Sequence, residues 1–96
     1  MPTYIHLVKF TEQGMRNIRE SPDRLDANRE HIASLVGKIT GYYLTTGHYD
    51  VVVTLEYPSD EVAMISKLKS ESKGSVRVEL LRVFPEDEYR RIIAQV

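Results

Sequence analysis

The strand-forming segments of this 96-residue chain are apolar at both sets of alternating positions, and this pattern strongly limits how the chain can fold. A strand with one face in water usually shows polar side chains at every second position. Residues 3–10, 50–56 and 75–84 are rich in β-branched and aromatic residues and have few such polar positions. We therefore expect both faces of the sheet that they form to be covered.

The segment after the first strand, residues 3–10, contains two helix start signals. Thr11 is placed to act as an N-cap, and Ser21 followed by Pro22 starts a second helical piece. We predict one helical region of about 25 residues that is broken or kinked at Pro22 and has Gly37 as its C-cap. The apolar stripe of both pieces consists of Met15, Ile18, Leu25, Ile32, Leu35 and Val36.

Three further strands are predicted, over residues 38–46, 50–56 and 75–84. The short segment 47–49 contains a glycine and joins the first two of them as a hairpin connection. Pro85 ends the last strand, because proline cannot donate to the hydrogen-bond ladder of a sheet.

Two helices are predicted in the second half of the chain. One begins after Pro58 and is closed off at Gly74, and a short one follows the acidic residues 86–88 at the end of the chain. The side chains that we expect on their apolar faces are Met64, Ile65 and Leu68 on the buried side of the first helix, and Tyr89, Ile92, Ile93 and Val96 on the terminal one.

The order β-α-β-β-α-β plus a terminal helix is that of a ferredoxin-like domain. We predict a single α+β domain over residues 1–96, with a four-stranded antiparallel sheet and its helices on one face. The other face of the sheet, the open face, then carries the second apolar set of strand residues. Two such faces packed across a two-fold axis would cover each other, so the sequence predicts a homodimer.

The composition excludes several classes of protein. Thirteen Lys and Arg against fourteen Asp and Glu give a net charge of −1, too weak a field to favour nucleic acid or an anionic membrane as a partner. The chain has no cysteine, which excludes disulfides, thiolate metal sites and a cysteine nucleophile. It contains no phosphate-binding loop, dinucleotide fingerprint or serine-hydrolase elbow. The N-terminus lacks the character of a signal peptide and no apolar run is long enough to span a membrane, so we expect a cytoplasmic protein.

Several segments match a known family in order and along nearly the whole chain. They are Tyr4-Ile5, Phe10-Thr11-Glu12-Gln13-Gly14, Asn17-Ile18, Ser21-Pro22, Tyr43-Leu44-Thr45-Thr46, Gly47-His48-Tyr49-Asp50, Val76-Arg77 and Leu81-Arg82-Val83-Phe84. In these segments the chain resembles the GYD-domain family, and Gly47, Tyr49 and Asp50 are the residues that give the family its name.

The resemblance implies a fold and a range of functions. The family is similar to the dimeric α/β-barrel group, in which two ferredoxin-like protomers pair their sheets, so the resemblance implies the same homodimer. That group includes cofactor-free monooxygenases, small isomerases and lyases, haem-binding enzymes and domains without a known activity. The resemblance therefore implies no single reaction.

The three histidines are candidates for proton transfer or metal binding. His6, His31 and His48 lie on a strand, a helix and a turn, at spacings that form no metal-binding pair, and we predict no metal site. His6 shares one strand face with Tyr4, where an imidazole that titrates near neutrality suits a general base beside a planar ligand. The alternative is a structural histidine, buried at the dimer interface and hydrogen-bonded to a tyrosine or a carbonyl group.

The hairpin and the fourth strand supply the other candidate residues. His48, Tyr49 and Asp50 are interpreted either as the rim of a pocket or as a hairpin held by Asp–amide bonds and a tyrosine anchor. Arg77 is interpreted either as a bidentate partner for a carboxylate or enolate, or as one half of an ion pair with Glu79.

Arginines are frequent on the predicted helices, where acidic residues alternate with them. We interpret this pattern as solvated helix surface rather than a nucleic-acid footprint. The arginines concerned are Arg16, Arg19, Arg24, Arg29, Arg90 and Arg91.

These candidates support three hypotheses. Only the third requires a cofactor. In the first, a homodimer binds an apolar or aromatic small molecule, as a binding domain or as a cofactor-free oxygenase or isomerase. His6 or His48 would then be the general base, and Tyr43 or Tyr49 together with Arg77 would stabilise an oxyanion. In the second, the domain is a non-catalytic ligand-sensing or assembly module whose tyrosines and arginine are structural. In the third, His6 or His48 binds haem.

Overall fold

Four antiparallel strands form one sheet in the spatial order β2-β3-β1-β4. The computed structural model describes residues 1–96. The strands are β1 (Thr3–Phe10), β2 (Lys38–Leu44), β3 (Val51–Glu56) and β4 (Val76–Val83). The strand order and the β-α-β-β-α-β succession confirm the predicted ferredoxin-like α+β fold.

The helices are α1 (Glu12–Arg16), α2 (Ser21–Ser34), α3 (Asp60–Ser72) and α4 (Glu86–Ile93), and a 3₁₀ turn over Ile18–Glu20 precedes α2. None of them combines the length and the apolar character required to cross a membrane.

The helical region after β1 breaks earlier than predicted. The first piece ends at Asn17, and the 3₁₀ turn leads directly into α2. Pro22 lies in the first turn of α2, where its missing N–H costs no hydrogen bond, so it causes no kink. The break therefore lies at Asn17 rather than at Pro22.

The start of α1 is fixed to the turn before β4. Thr11 is the N-cap, as predicted, and its hydroxyl accepts a hydrogen bond from Gly14 N at 3.1 Å and donates to Gly74 O at 2.6 Å. A Cβ atom on Gly14 would lie 2.0 Å from Ser75 O, so only glycine allows this close approach.

The end of α2 differs from the prediction by one residue. Gly37 was expected to be the C-cap, but Val36 is the residue in the left-handed region, with φ 61°. The amide of Gly37 bonds to Ile32 O and that of Val36 bonds to Ala33 O, which is the Schellman pattern. Gly37 is required for space instead, since a Cβ there would lie 2.9 Å from both Ile32 and Tyr57.

The core lies between the sheet and the longer helices. Tyr4, His6 and Val8 of β1 point towards the helices and are buried. Aligned with them across the sheet are residues of β3 and β4, and Ile32, Tyr57 and Ala63 complete the core. The buried strand residues from β3 and β4 are Val51, Val53, Leu55 and Val78.

Helix α3 is rotated relative to the prediction. Met64, Ile65 and Leu68 were expected to be buried but are 42%, 47% and 55% exposed, whereas Ala63 and Ser66 are buried. The hydroxyl groups of Ser66 and Tyr57 are 2.7 Å apart and hydrogen-bonded. Small residues on the inner side, together with this bond, turn the larger apolar residues of α3 outward.

The open face of the sheet has no cover within one protomer. It carries Ile5 and Leu7 at the centre, with Val52 and Leu81 on the neighbouring strands. Helix α4 also has an apolar stripe, as predicted, but its large side chains are about half exposed, because the helix does not pack against the core. These side chains are Tyr89, Ile92 and Ile93.

Candidate functional site

A cavity of about 160 Å³ lies between the helix-covered face of the sheet and helices α2 and α3. Most of its wall is apolar. The apolar side chains that line it are Val8, Phe10, Leu25, Ala27, Ile32, Ile39, Val51, Val53, Leu55, Val76 and Val78, with Tyr42 at the β2 side. Seven polar residues interrupt this wall, and a mostly apolar lining with some polar groups is the usual composition of a small-molecule site.

His6 is the polar residue on the sheet side of the cavity. Only 4% of it is exposed, and its Nε2 atom is buried without a hydrogen-bond partner. Its ring stacks on Tyr57 at a centroid distance of 6.1 Å. Burial, with a smaller effect from the Lys67 ammonium, lowers the pKa of His6 to about 4, so the ring is neutral at pH 7. A neutral imidazole in this position can donate or accept one hydrogen bond, but it is a weak base.

Arg24 is the polar residue on the helix side. Its Nη1 donates to Asn17 O at 3.0 Å, and the Glu20 carboxylate lies 3.9 Å away. Its Nη2 is buried without a partner, and the side chain is 30% exposed. The interpretation of Arg24 as a solvated surface residue is therefore wrong, because one side of its guanidinium group faces the interior.

Further polar groups surround Arg24 in the cavity wall. Tyr42 is half-buried, and burial raises the pKa of its phenol, while the Arg24 charge opposes this shift. Asn28 of α2 accepts a hydrogen bond from the Ser70 hydroxyl of α3 at 3.4 Å. Tyr42, Asn28 and Ser21 thus place neutral hydrogen-bonding groups near the guanidinium.

The charged residues of the cavity wall are all cationic. Arg24 and Lys73 line it, and no aspartate or glutamate does. The side chains that line the cavity therefore carry net positive charge, and the Glu20 carboxylate, 3.9 Å from Arg24, lies outside the lining.

Sequence reasoning missed Arg24, although a signal for it exists. The residues at positions 21, 24, 25, 28 and 32 follow helical spacing, and Ile32 at the end of this series is the residue of α2 that is fully buried. A polar residue on the same stripe as a buried isoleucine faces the interior. The abundance of acidic neighbours around Arg24 concealed this placement.

A register irregularity between Ile39 and Gly41 in β2 explains how Tyr42 reaches the cavity. Ile39 pairs with Leu55 and Tyr42 pairs with Val53, so two residues three positions apart face the helices. Simple alternation does not predict this placement.

Tyr4 shares the strand face of His6 but has another partner. Its hydroxyl donates to the Asp60 carboxylate at 2.5 Å, and its ring packs edge-on against Tyr57 at 5.4 Å. Burial and the bond to Asp60 raise the pKa of Tyr4 to about 12. Tyr4 links β1 to the start of α3 and does not line the cavity.

The candidate residues of the hairpin lie away from the cavity. His48 is exposed and contacts the Tyr49 ring edge-on at 5.0 Å. The Tyr49 hydroxyl donates to Glu79 on the open face. Asp50 accepts a hydrogen bond from Phe10 N at 2.9 Å and so ties the hairpin to the end of β1.

Tyr43 and Arg77 lie on the open face, opposite to His6. Tyr43 is 60% exposed, and Arg77 is exposed beside Lys9 of β1. Glu79 binds Tyr49 rather than Arg77, so the ion pair between Arg77 and Glu79 does not form. The sheet separates these residues from His6, and within one protomer they cannot share a pocket with it.

Taken together, the topology and the cavity define a ferredoxin-like α+β domain with a small site under its helices and an uncovered apolar sheet face. A family model described as the GYD domain matches residues 4–93. The chain belongs to the GYD-domain family, as the resemblance of its segments indicates.

One curated relative gives a further comparison. The Thermus thermophilus protein named "Glutamine synthetase and cystathionine beta-lyase binding protein" is 28% identical to this chain over 86 residues. The match covers 88% of this chain and 90% of that protein. No solved structure matches the chain significantly.

Proposed function

We propose that this GYD-domain protein binds a small molecule in the cavity between its sheet and its helices. The observation that carries the proposal is that two residues that line the cavity, His6 and Arg24, each have a buried side-chain nitrogen, Nε2 and Nη2, without a partner in the protein. Buried polar atoms are almost always hydrogen-bonded, and an unpaired one is costly. A ligand that bonds to these atoms would remove that cost.

The size of the cavity limits the ligand. A cavity of about 150 Å³ with an apolar lining holds one benzene molecule. The present cavity, at about 160 Å³, therefore suits a ligand with one aromatic ring or a short branched chain. It is much too small for haem, so the haem hypothesis has no support at His6.

The chemistry of His6 favours binding over catalysis. A general base works best when its pKa lies near the working pH. The pKa of His6 is lowered to about 4, which makes it a poor proton acceptor at neutral pH. We propose that His6 serves as a hydrogen-bonding partner for the ligand.

A phenol titration followed by ¹⁵N–¹H NMR spectroscopy tests the proposal, since phenol combines one ring with one hydroxyl group. We expect saturable shifts of amides around the cavity, such as those of Val53 and Asn28. Ser70→Leu places a larger side chain in the cavity and should abolish them. Ser72→Leu is the matched control on the exposed side of the same helix and should bind phenol like the wild type. Absence of saturable shifts in the wild type, or equal binding by Ser70→Leu, contradicts the proposal.

We also propose that the protein is a homodimer in which two open faces pack together. Only 13 of 96 residues are buried in one protomer, so a large share of its apolar surface lies uncovered. The open face has apolar residues at its centre and charged residues such as Lys9, Glu79 and Arg77 around them. An apolar centre with a polar rim is typical of a stable interface.

The name of the relative supports a second function, the binding of other enzymes. In this chain the outward stripe of α3, formed by Met64, Ile65 and Leu68, is an exposed apolar surface that a protein partner could cover. Biolayer interferometry with the glutamine synthetase and cystathionine β-lyase of the organism that produces this protein tests this function. We expect binding that Leu68→Lys weakens and Ser72→Lys does not. If neither enzyme binds the wild type, this second function is wrong.

A further inference from the structure

We infer that the ligand of the cavity is a small carboxylate, with its anionic group at Arg24 and its apolar part among the core residues beside His6. This inference rests on the proposed ligand-binding function and adds the chemical class of the ligand.

The hydrogen bonding of Arg24 supports an anionic ligand. The guanidinium directs Nη1 to Asn17 O, while the nearest carboxylate, that of Glu20, lies at 3.9 Å and is 70% exposed. An ion pair at this distance and exposure neutralises little of the charge. The buried Nη2 atom therefore still needs an acceptor, and a carboxylate is the acceptor that arginine binds most strongly.

The rest of the cavity wall has the same preference. Lys73 adds a second positive charge, and no acidic side chain lines the cavity to repel an anion. Ser21 and Tyr42 are hydrogen-bonded to each other, so one of their two hydroxyl groups keeps a donor for a carboxylate. Asn28 uses its carbonyl oxygen to accept from Ser70, so its N–H groups are available as donors.

The wall opposite Arg24 selects the remainder of the ligand. It consists of apolar side chains of the sheet, among them Val53 and Leu55, and Ile32 of α2 extends the apolar lining on the helix side. A hydrophilic anion such as phosphate would leave these side chains without contacts. A carboxylate with one aromatic ring or a short branched chain satisfies both ends of the cavity.

Titration calorimetry with benzoate and benzyl alcohol at pH 7 tests the inference, because the two probes share a ring and differ in charge. We expect wild-type protein to bind benzoate at least tenfold more tightly than benzyl alcohol, and inorganic phosphate not to displace it. Arg24→Gln should weaken benzoate binding far more than benzyl alcohol binding and so lose the preference for benzoate. Arg19→Gln removes an exposed arginine nearby and should keep the preference.

The outcomes separate the inference from the proposed function. If phenol and benzyl alcohol bind but benzoate binds no more tightly, the ligand is not a carboxylate and the binding function stands. If Arg24→Gln keeps the preference for benzoate, Arg24 is not the anion site and the inference is wrong. If no probe binds, both proposals fail. If Arg24→Gln binds none of the probes, Arg24→Lys decides, since it keeps the charge without the planar pair of donors and should weaken benzoate binding more than phenol binding. Unchanged benzoate binding by Arg24→Lys would show that the paired guanidinium donors of Arg24 do not hold the carboxylate.

Discussion

At the scale of single residues, His6 combines a buried position with a titratable ring. Its neighbours on α3 are Lys67 and Glu71, which are bonded to each other at 2.8 Å. Glu71 also accepts a hydrogen bond from Val78 N at 2.9 Å. Burial tends to raise the pKa of Glu71, but the bonds from Lys67 and Val78 outweigh it and lower that pKa. Glu71 therefore stays ionised, and its carboxylate oxygens bind Lys67 and Val78 N. Its negative charge does little to favour protonation of His6.

This environment makes His6 a source of acid sensitivity. Its pKa is about 4 in the folded protein against 6.5 for an unperturbed histidine, so between these pH values the unfolded chain binds more protons. The free energy of unfolding should therefore fall as the pH drops through this window, by at most about 1.4 kcal/mol per pH unit for this one group. Well above pH 6.5, where the histidine of the unfolded chain has also lost its proton, the group is neutral in both states and adds no slope.

We predict that His6→Gln removes this part of the pH dependence. Urea unfolding at intervals from pH 7 to pH 4 should give a flatter decline of the unfolding free energy for the variant than for the wild type. His48→Gln is the matched control, because His48 is exposed in the hairpin and its loss should leave the slope unchanged. His31, whose pKa is also lowered by burial, is present in all three proteins and cancels in the comparison. Parallel curves for His6→Gln and the wild type would show that His6 is not buried neutral.

At the scale of secondary structure elements, the sequence predicts the strands better than the helix faces. β1 has the predicted bounds, and the cap at Thr11 lies where the motif places it. Both signals are local, since alternation and capping depend on adjacent residues. The rotation of a helix depends on partners distant in the chain, such as Tyr57 for Ser66, and the sequence does not reveal such pairs.

The cavity itself follows from the faces that α2 and α3 present to the sheet. α2 directs Ser21, Arg24 and Asn28 inward, and α3 directs Ser66 and Ser70 inward. Small and polar side chains cannot fill the space above a sheet of valines, so a hollow remains. A prediction that assigns the largest apolar side chains of each helix to the core therefore predicts a filled interior. The candidate site was missed for this reason, although His6 in its wall was identified.

The end of α2 provides a test at the level of one helix. Val36 holds a left-handed backbone conformation with φ 61°, which costs an ordinary residue about 1–2 kcal/mol relative to glycine. Its side chain is 69% exposed and contributes little packing. We predict that Val36→Gly raises the free energy of unfolding by about 1 kcal/mol, measured by urea denaturation.

The control for this prediction keeps the Cβ atom. Val36→Ala retains most of the conformational strain and should change the unfolding free energy much less than Val36→Gly. If Val36→Gly is less stable than the wild type, the flexibility that glycine adds to the unfolded chain outweighs the strain, and the account of this helix end is wrong.

At the scale of the whole molecule, the protomer leaves apolar surface on two sides. The helix side carries the outward stripe of α3, and the sheet side carries the open face, with Leu7 at its centre on an inner strand. The open face is broad and regular, and a second copy presents a face of the same shape. In the proposed homodimer, burial of this face against its copy would account for strands that are apolar at both sets of alternating positions.

We predict that Leu7→Lys converts the proposed homodimer to monomers. Sedimentation equilibrium at micromolar concentration should give twice the 11.1 kDa chain mass for the wild type and the chain mass for the variant. Leu7 pairs with Val52 and Glu79 on its neighbouring strands, so a lysine there would bring a charge into the interface whose desolvation the Glu79 carboxylate offsets only in part. Leu68→Lys makes the same exchange on the exposed side of α3 and should remain dimeric. Circular dichroism of both variants separates dissociation from unfolding. A wild type that sediments as a monomer excludes this interface, and dissociation of folded Leu68→Lys while Leu7→Lys stays dimeric would place the interface on α3 instead of the sheet.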